Sequence, residues 1–466
     1  MTLLSAWESV FRRDGADHVA LYAPSGERLR TLGEIAEETE MWMRRFCEAG
    51  VREGSVVAFQ IPNRAEWPAL FLALQRIGAV ALPLGGHLQG EERAQLLGAC
   101  KVSACVEVAS DGDLVLEPLG HEPVAWDGRR PALLKLTSGT TSAPRAIRFT
   151  ARQLAEDGWQ ICETMGIGRN DLNYGVIPLN HSYGFANLLL PLILHGIPMV
   201  VSDDPMPRAI LAGLQATRAT VFPGMPVLFD KLAALEEAGG LPSLRLCISA
   251  GALLTPEVAR RFHARFGVKV HPFYGSSESG GIAYDASEVL DHPAGFVGKP
   301  MSRVTLHPLE DGRFQVESGA VGDGYWPVDA GEKGAIENGR FTPADLARIT
   351  PNGVYLVGRI SDVINIAGRK LNPSEVEPVL RQCPGVEQVL VFGVPSPIRG
   401  EEAVACVVGS VEEPEFLAFA KRRLAGWQVP KAVWKVGEIP VNERGKTSRR
   451  MLAQRYLEMQ GLPSRP

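Results

Sequence analysis

Residues 136–149 read LTSGTTSAPRAIRF, and the stretch Thr137-Ser138-Gly139-Thr140-Thr141 places four hydroxyls and a glycine in five consecutive positions. The apolar run Ala132-Leu133-Leu134 precedes it, and Ala146 to Phe149 follows as a second strand-like run, so the segment reads as strand, tight loop, strand. A loop of this kind offers closely spaced backbone N–H groups and Ser/Thr hydroxyls, donors that suit polyphosphate oxygens. The Walker pattern Gly-x-x-x-x-Gly-Lys-Ser/Thr is absent here. Taken alone, the five residues are also compatible with a plain polar turn.

Working outward, helical and strand-like patterns alternate. Leu32, Ile35, Trp42 and Phe46 predict a helix over 32–48, followed by a strand at Val56-Val57-Ala58-Phe59, a helix from Trp67 to Ile77 and a strand at Ala79-Val80-Ala81-Leu82. Thr150 with Gln153 forms a capping-box pattern that opens a helix over 151–165, with Leu154, Ile161 and Met165 on its inward face. Further strands are expected at Pro198 to Val201, Ala219 to Phe222 and Leu244 to Ser249. This is the β-α-β alternation of an α/β protein with a largely parallel sheet. Shorter, turn-rich strands between 296 and 358 predict a small β-rich subdomain. From residue 361 the pattern changes. Asn372-Pro373-Ser374-Glu375 opens a helix that stops near Cys383-Pro384-Gly385; strands near 387–394 and 402–409, a helix near 414–425 and a strand near 431–437 complete an α+β unit. The expected division is a large N-terminal domain, 1–359, and a small C-terminal domain, 360–466.

Composition sets bounds. The 466 residues call for two to four domains or subdomains, and 45 % hydrophobic with 22 % charged residues is ordinary globular content. A net charge of -5 gives no case for general nucleic-acid binding. From residue 361 onward 15 Lys and Arg stand against 12 Asp and Glu, while the rest carries 33 against 41, so the C-terminal piece is the more basic. The seven cysteines are scattered and form no C-x-x-C, which fits reduced thiols and a cytoplasmic location. The sequence MTLLSAWESV has no basic leader pattern, and the most apolar stretch, Phe185 to Val201, is broken by Asn187, Pro191, His195 and Pro198; no membrane span is expected and the stretch reads as core.

Several ordered motifs together resemble the adenylate-forming superfamily of acyl- and aryl-CoA synthetases, peptide-synthetase adenylation domains and luciferases. Thr137 to Arg145 resembles its phosphate loop, Pro178-Leu179-Asn180-His181-Ser182-Tyr183-Gly184 its acid-pocket segment, and Ser249-Ala250-Gly251-Ala252 with Tyr274-Gly275-Ser276-Ser277-Glu278 its adenine and metal segments. Asp345 and Gly358-Arg359-Ile360-Ser361-Asp362 resemble the ribose-binding and hinge region, and Gly445-Lys446-Thr447-Ser448-Arg449-Arg450 the catalytic-lysine motif. The resemblance spans almost the whole chain. It implies a large adenylate-forming domain with a mobile C-terminal lid, and a reaction that joins a carboxylic acid to ATP and then to a thiol.

The resemblance also implies roles. Thr137, Ser138, Gly139, Thr140 and Thr141 would hold the β- and γ-phosphates; Gly251, Ala252, Tyr274, Gly275, Ser276 and Ser277 would line the nucleotide. Tyr274 would pack on the adenine and Asp345 would accept both ribose hydroxyls, with Arg359 beside them. Glu278 would bind Mg²⁺, and Lys446 would bridge the carboxylate and the α-phosphate. His181, Phe185 and Gly251 would line the acid pocket, although a buried core histidine is the competing reading of His181. Ser361 would be the hinge, and Gly368 and Lys370 would meet coenzyme A; the basic run Lys421-Arg422-Arg423 is either a further CoA contact or a solvated face. The glycines between Tyr274 and Gly281 are expected to leave room for a sizeable acyl chain.

The chain departs from the family pattern at known places. The phosphate loop continues Ser142-Ala143-Pro144-Arg145-Ala146 where the family has Gly-x-Pro-Lys-Gly, so two glycines are lost and Arg replaces Lys. Ser277 stands for Thr, Pro343-Ala344-Asp345 for Thr-Gly-Asp, and Ser361 for the usual Asp or Lys. The reading is an ATP- and Mg²⁺-dependent carboxylic acid–CoA ligase working through an acyl-adenylate. Two alternatives stay open: loading of an acyl carrier protein's phosphopantetheine, and an inactive nucleotide-binding relative.

Overall fold

Val56–Gln60, Val80–Pro83, Val221–Gly224 and Leu246–Ser249 are almost wholly buried along their length. Burial on both faces is the condition of a parallel strand covered by helices on each side. The computed structural model describes residues 2–136, 145–236, 239–327, 335–396, 398–440 and 448–461. The chain divides into a larger unit, residues 1–308, 314–343 and 349–355, and a smaller one, residues 309–313, 344–348 and 356–466.

In the larger unit, Val56–Gln60 runs parallel to Val80–Pro83 and to Val102–Val108, and Val80–Pro83 parallel to Leu133–Leu136. Leu133–Leu136 pairs antiparallel with Ala146–Phe149, with Leu136 opposite Ala146. Tyr325–Trp326 adds beyond it, placing Tyr325 opposite Ile147. A second parallel run follows the order Val19–Tyr22, Met199–Val201, Asn173–Gly175, Val221–Gly224, Leu246–Ser249, Val270–Ser276. Gly280–Tyr284 and Phe296–Pro300 then continue it antiparallel.

The helices follow the sequence signals. Leu32–Glu48 starts at a Thr31/Glu34 capping box and buries Leu32, Ile35, Trp42 and Phe46. Trp67–Ile77 is buried at every position from Trp67 to Leu74, as befits a helix apolar all round. In Ala151–Met165, Gln153 N donates to Thr150 Oγ1 at 3.3 Å and Thr150 N donates to Gln153 Oε1 at 2.7 Å; Gly166, at φ +63°, ends the helix. The apolar stretch after Gly184 forms a π-helical turn, Phe185–Leu189, and the helix Leu190–His195, and it lies in the core. Among the described residues no helix is long and apolar enough to cross a membrane.

In the smaller unit the strands Ile364–Ile366, Arg369–Leu371, Val386–Ser396 and Gly400–Gly409 are antiparallel, and Ala432–Lys435 joins Gly400–Gly409 in parallel. Alternate residues feed two cores. Val389, Val391, Ala403 and Ala405 pack with Val376, Leu380 and Phe416 on one face, while Phe392, Val394, Val404 and Cys406 pack with Leu452 and Leu457 on the other. The helices Pro373–Leu380 and Glu413–Arg423 supply the first face and Arg449–Met459 the second.

Removing the cap in Thr150→Ala should cost the larger unit about 1 kcal/mol. Thr150→Ser should keep most of it, and thermal unfolding of the two variants beside the native chain reads the difference.

Candidate active site

Ligands of open parallel sheets bind beyond the carboxyl ends of the strands. Gly224, Ser249 and Pro272 lie side by side in register, so Met225 and the Ala250-Gly251-Ala252 turn leave the sheet at one edge, where the strand from Tyr274 onward runs past its parallel neighbour and pairs only with Gly280–Tyr284. Gly251 sits at φ +85°, and a Cβ there would meet only Met225 Cγ and Sδ, at 3.7 and 3.8 Å, so the backbone angle and not crowding selects glycine. Gly251 and Ala252 are exposed.

The segment Pro178 to Gly184 is pinned from below. Asn63 Nδ2 donates to the Ile177 and Ser202 carbonyls at 3.1 and 2.9 Å, and Asn63 Oδ1 accepts from Leu179 N at 2.8 Å. Asn180 Nδ2 donates to the Leu84 carbonyl at 2.7 Å, and the buried Tyr183 Oη donates to the Ile248 carbonyl at 2.9 Å. A Cβ on Gly184 would lie 2.2 Å from the Pro178 carbonyl oxygen, so the chain doubles back too closely for any side chain. His181 is exposed, which overturns its reading as a core histidine; Tyr183 is the buried member of the segment. Tyr183 N donates to His181 Nδ1 at 3.2 Å, which puts the proton of the neutral ring on Nε2. Phe185 is buried, edge-on to Phe71 at 5.2 Å between centroids.

Glu278 lies in the turn of the hairpin made by Val270–Ser276 and Gly280–Tyr284. Tyr325 Oη donates to its Oε1 at 3.4 Å, and Gly322 N donates to its main-chain carbonyl at 2.9 Å. The Arg145 guanidinium stands over the Tyr325 ring at 5.1 Å. Burial pushes the Glu278 carboxyl above the ordinary range, opposed by hydrogen bonds and by the charge of Arg145. Around it Ser182 Oγ donates to Ser277 Oγ at 3.2 Å, and Ser276 and Ser279 share a 2.9 Å hydroxyl contact. Tyr274 is half-buried with its ring 6.4 Å from that of Phe314.

The glycines of this hairpin do not open space for an acyl chain, contrary to expectation. A Cβ on Gly275 would lie 2.7 Å from the Gly280 carbonyl oxygen, one on Gly280 2.2 Å from Asp157 Oδ1, and one on Gly281 2.6 Å from Met301 Sδ. Backbone, Asp157 and Met301 already occupy those positions.

Asp157 belongs to a buried pair. Lys135 stands between Leu134 and Leu136 in the strand that leads to the hydroxyl-rich loop, and its Nζ is 3.9 Å from Asp157 Oδ2. It also lies over the Phe149 ring at 4.4 Å and 5.9 Å from that of Phe185. Asp157 Oδ1 accepts from Gly281 N at 3.0 Å. Both side chains are about 95 % buried, and neither Lys135 Nζ nor Asp157 Oδ2 has a hydrogen-bond partner among the described residues. Desolvation lowers the Lys135 pKa and raises that of Asp157; each charge opposes the shift of the other, and the charge of Glu278 also favours the ammonium.

The smaller unit holds the remaining expected residues. Asp345 opens the strand Asp345–Thr350 and Arg359 closes Gly353–Arg359. The two are joined directly, Arg359 Nε donating to Asp345 Oδ1 at 2.9 Å. Ile360 N donates to the Ala344 carbonyl at 2.8 Å, which holds the two strand ends together. Ser361 is exposed in the single 3₁₀ turn Ile360–Asp362. Gly368 turns between two strands at φ +82°, with open space where a Cβ would be, and Lys370 is exposed opposite Asn365. Lys421, Arg422 and Arg423 are exposed in the last turn of their helix. Thr137, Ser138, Gly139, Thr140, Thr141 and Lys446 lie outside the described residues.

Sequence reading missed Tyr325, Lys135 and Asp157. Lys135 carried a signal, a charge set inside an apolar strand. Tyr325 carried none, because only strand pairing brings it to Glu278. Among the described residues there is no cluster of three or more His, Cys, Asp or Glu side chains placed to hold a metal. A lone carboxylate such as Glu278, with the Tyr325 hydroxyl beside it, fits a hard cation shared with phosphate oxygens and does not make an all-protein cage.

The chain is similar to known proteins over nearly its whole length. The AMP-binding enzyme family profile matches residues 7–323, and that of the AMP-binding enzyme C-terminal domain matches 375–446. The chain is 29 % identical to oxalate–CoA ligase of Arabidopsis thaliana, over 89 % of this chain and 91 % of that one. It is 27 % identical to feruloyl-CoA synthase of an Amycolatopsis species, over 97 % and 99 %. The crystal structure of ATP-bound MatB from Rhodopseudomonas palustris superposes with a TM-score of 0.87 at 23 % identity, covering 98 % of this chain and all of that one.

Lys135→Met strands the Asp157 carboxylate and should destabilise the larger unit by about 3–5 kcal/mol at neutral pH. Without the ammonium, folded Asp157 holds its proton to a higher pH than it does in the unfolded chain. Stability of this variant therefore falls as pH rises above the ordinary carboxyl range, and the deficit narrows on acidification. Lys135→Met/Asp157→Asn should recover most of the loss. Thermal unfolding from pH 4 to pH 8 (about the carboxyl range upward) reads all three, and equal deficits at every pH would contradict the pairing.

Proposed function

The chain belongs to the family of AMP-binding enzymes, and we propose that it acts as an ATP-dependent carboxylic acid–CoA ligase. The observation that carries this reading is the joint match of both family profiles to a chain whose Glu278, Tyr325, Arg145, Ser182 and Ser277 gather at one site. That relatives over nearly the full length are CoA ligases supports it.

The chemistry proceeds in two steps. A carboxylate oxygen of the acid attacks the α-phosphorus of ATP, the bond to the β-phosphate oxygen breaks, and acyl-AMP and pyrophosphate result. The sulfur of coenzyme A then attacks the acyl carbon, a thioester forms, AMP leaves, and the thiol proton is released. An anion attacking a polyanion needs neutralised charge and fixed alignment. Thr137, Ser138, Gly139, Thr140 and Thr141 hold the terminal phosphates through hydroxyl and N–H donors. Lys446 stabilises the charge shared by carboxylate and α-phosphate, which makes it the principal catalytic residue.

Tyr274 receives the adenine face, with Gly251, Ala252, Gly275, Ser276 and Ser277 along the nucleotide. Asp345 accepts the ribose hydroxyls once it exchanges part of its exposed ion pair with Arg359, a pair worth at most about 1 kcal/mol. Glu278 is the residue that would hold Mg²⁺, which when bound neutralises phosphate charge. His181 and Gly251 present the acid-side surface, and buried Phe185 backs it. Residues 360–466 form a lid that turns about Ser361, and Gly368 and Lys370 face coenzyme A in the second step. Seven free thiols fit a reducing, cytoplasmic setting.

The deciding measurement is acid-dependent ATP–pyrophosphate exchange across oxalate, ferulate, and short-, medium- and long-chain fatty acids. One acid class should support exchange, and Lys446→Ala should lower its rate by roughly 100-fold or more. Glu278→Ala should weaken Mg·ATP binding in calorimetry as well as exchange. Adding coenzyme A or a phosphopantetheinyl carrier protein to the productive acid identifies the thiol acceptor. Measurable Mg·ATP binding with no exchange under any acid would overturn the ligase reading.

A further inference from the structure

Gln153, Asp157, Gln160 and Thr164 follow one another along the helix Ala151–Met165 at spacings of four, three and four residues. Those spacings place the four polar side chains on one face. Gln153, Asp157 and Gln160 are buried. An inward helix face is ordinarily apolar, and a polar group buried there is costly unless it is hydrogen-bonded. Each of the four is bonded to the same later stretch of chain. Gly281 N donates to Asp157 Oδ1 at 3.0 Å, and Gln153 Nε2 donates to Asp323 Oδ1 at 2.7 Å. Gln160 Nε2 donates to Ser318 Oγ at 2.9 Å, and Ser302 N donates to Thr164 Oγ1 at 3.0 Å.

Two of these contacts bracket Glu278. Gly281 lies three residues beyond it, at the start of the outgoing hairpin strand. Asp323 stands between Gly322, whose N–H meets the Glu278 main-chain carbonyl, and Tyr325, whose hydroxyl meets its carboxylate. The Asp323 main chain is fixed as well: its N–H donates to the Arg148 carbonyl at 2.9 Å, and its carbonyl accepts from Arg148 Nη2 at 2.8 Å. Both segments that touch Glu278 are therefore docked on one helix. Apolar packing would hold them against that helix equally well, but it is not directional. Hydrogen bonds add a fixed place along the helix axis.

We infer that Asp157 and Gln153 are positioning residues for Glu278, and that the hydrogen bond accepted from Gly281, not the charge of Asp157, sets the place of that carboxylate. The inference rests on the metal role proposed for Glu278. It assigns neither Asp157 nor Gln153 a contact with nucleotide or ion. Groups that aim a metal-binding carboxylate act on the binding of the metal-bound nucleotide and leave the binding of metal-free ATP alone.

The test uses the full-length chain with both charges of the buried pair removed, so that only the acceptor differs. Lys135→Met/Asp157→Asn keeps an amide oxygen for Gly281 N, and Lys135→Met/Asp157→Leu, of similar shape, does not. Calorimetric titration with ATP is run on each in Mg²⁺ and in EDTA, beside the Mg²⁺ dependence of pyrophosphate exchange with the acid that gives the fastest exchange. The Leu variant should bind Mg·ATP ~10-fold more weakly than the Asn variant and need ~10-fold more Mg²⁺ for half-maximal exchange, with metal-free ATP affinities within about twofold of each other. Asp323→Ala, which removes the acceptor of Gln153 and leaves the helix cap intact, should show a smaller loss of the same kind against the native chain. Equal Mg·ATP affinities in the two double variants, or equal losses with and without Mg²⁺, would reduce the polar face to a fold-holding feature and overturn the inference. Should the Leu variant fail to fold, Asp323→Ala carries the same comparison. Undiminished Mg·ATP affinity in Glu278→Ala would remove the premise, whereas diminished affinity there with native affinity in the Leu and Asp323 variants would refute the positioning role alone.

Discussion

The parallel register of Val221–Gly224, Leu246–Ser249 and Val270–Ser276 is the constraint on which the larger unit's site depends. Parallel neighbours need long crossovers, and the crossovers cover both sheet faces, so Val221–Gly224 and Leu246–Ser249 are buried along their length. Polar chemistry is then left to the strand ends. Because all three strands point the same way, their outgoing loops leave at one edge. Met225, Gly251 and the Tyr274 segment are neighbours for this reason, although about fifty residues of chain separate the first from the last. The Pro178–Gly184 segment reaches the same edge by being held through Asn63 and Tyr183 Oη rather than by sheet pairing.

A second physical theme is buried charge. Lys135 and Asp157 are each costly to bury, and at 3.9 Å their attraction offsets only part of that cost. The arrangement nonetheless joins three parts of the site. Lys135 belongs to the strand leading to the hydroxyl-rich loop, Asp157 holds the Gly281 end of the Glu278 hairpin, and Phe185 borders the same ammonium. A shift of any one is felt by the others, since interiors are packed too tightly to yield locally.

How much of this was legible in the sequence follows from where each signal resides. Capping boxes and apolar periodicity are local, so the helices Leu32–Glu48, Trp67–Ile77 and Ala151–Met165 match the sequence reading closely. The strands near 387–394 and 402–409 were likewise readable as apolar runs, but which residue faces which core was not, because Val389 to Phe392 is apolar at every position. Contacts across distant pairings were not. Nothing near Tyr325 in sequence announces Glu278, and nothing near Gln153 announces Asp323. The hairpin glycines show the reverse error: a gap in side-chain volume read from sequence is, in the fold, the close approach of backbone and of Asp157.

The departures from the family's phosphate-loop pattern acquire a physical account on the same grounds. Ala146, where the pattern has glycine, is the first residue of a core strand and pairs with Leu136, so its methyl group is buried and no special backbone angle is asked of it. Arg145, where the pattern has lysine, stands over the Tyr325 ring at 5.1 Å, and the Tyr325 hydroxyl reaches Glu278. A planar guanidinium stacks on an aromatic face better than a compact, strongly hydrated ammonium does. Arginine therefore links the end of the phosphate-loop segment to the carboxylate proposed for Mg²⁺ through one intervening ring. The substitution changes the form in which positive charge is held near that carboxylate while keeping the charge itself. Tyr325 thus stands between the Arg145 charge and the half-buried Glu278, and both the ring hydroxyl and that charge oppose the upward push of burial on the Glu278 carboxyl.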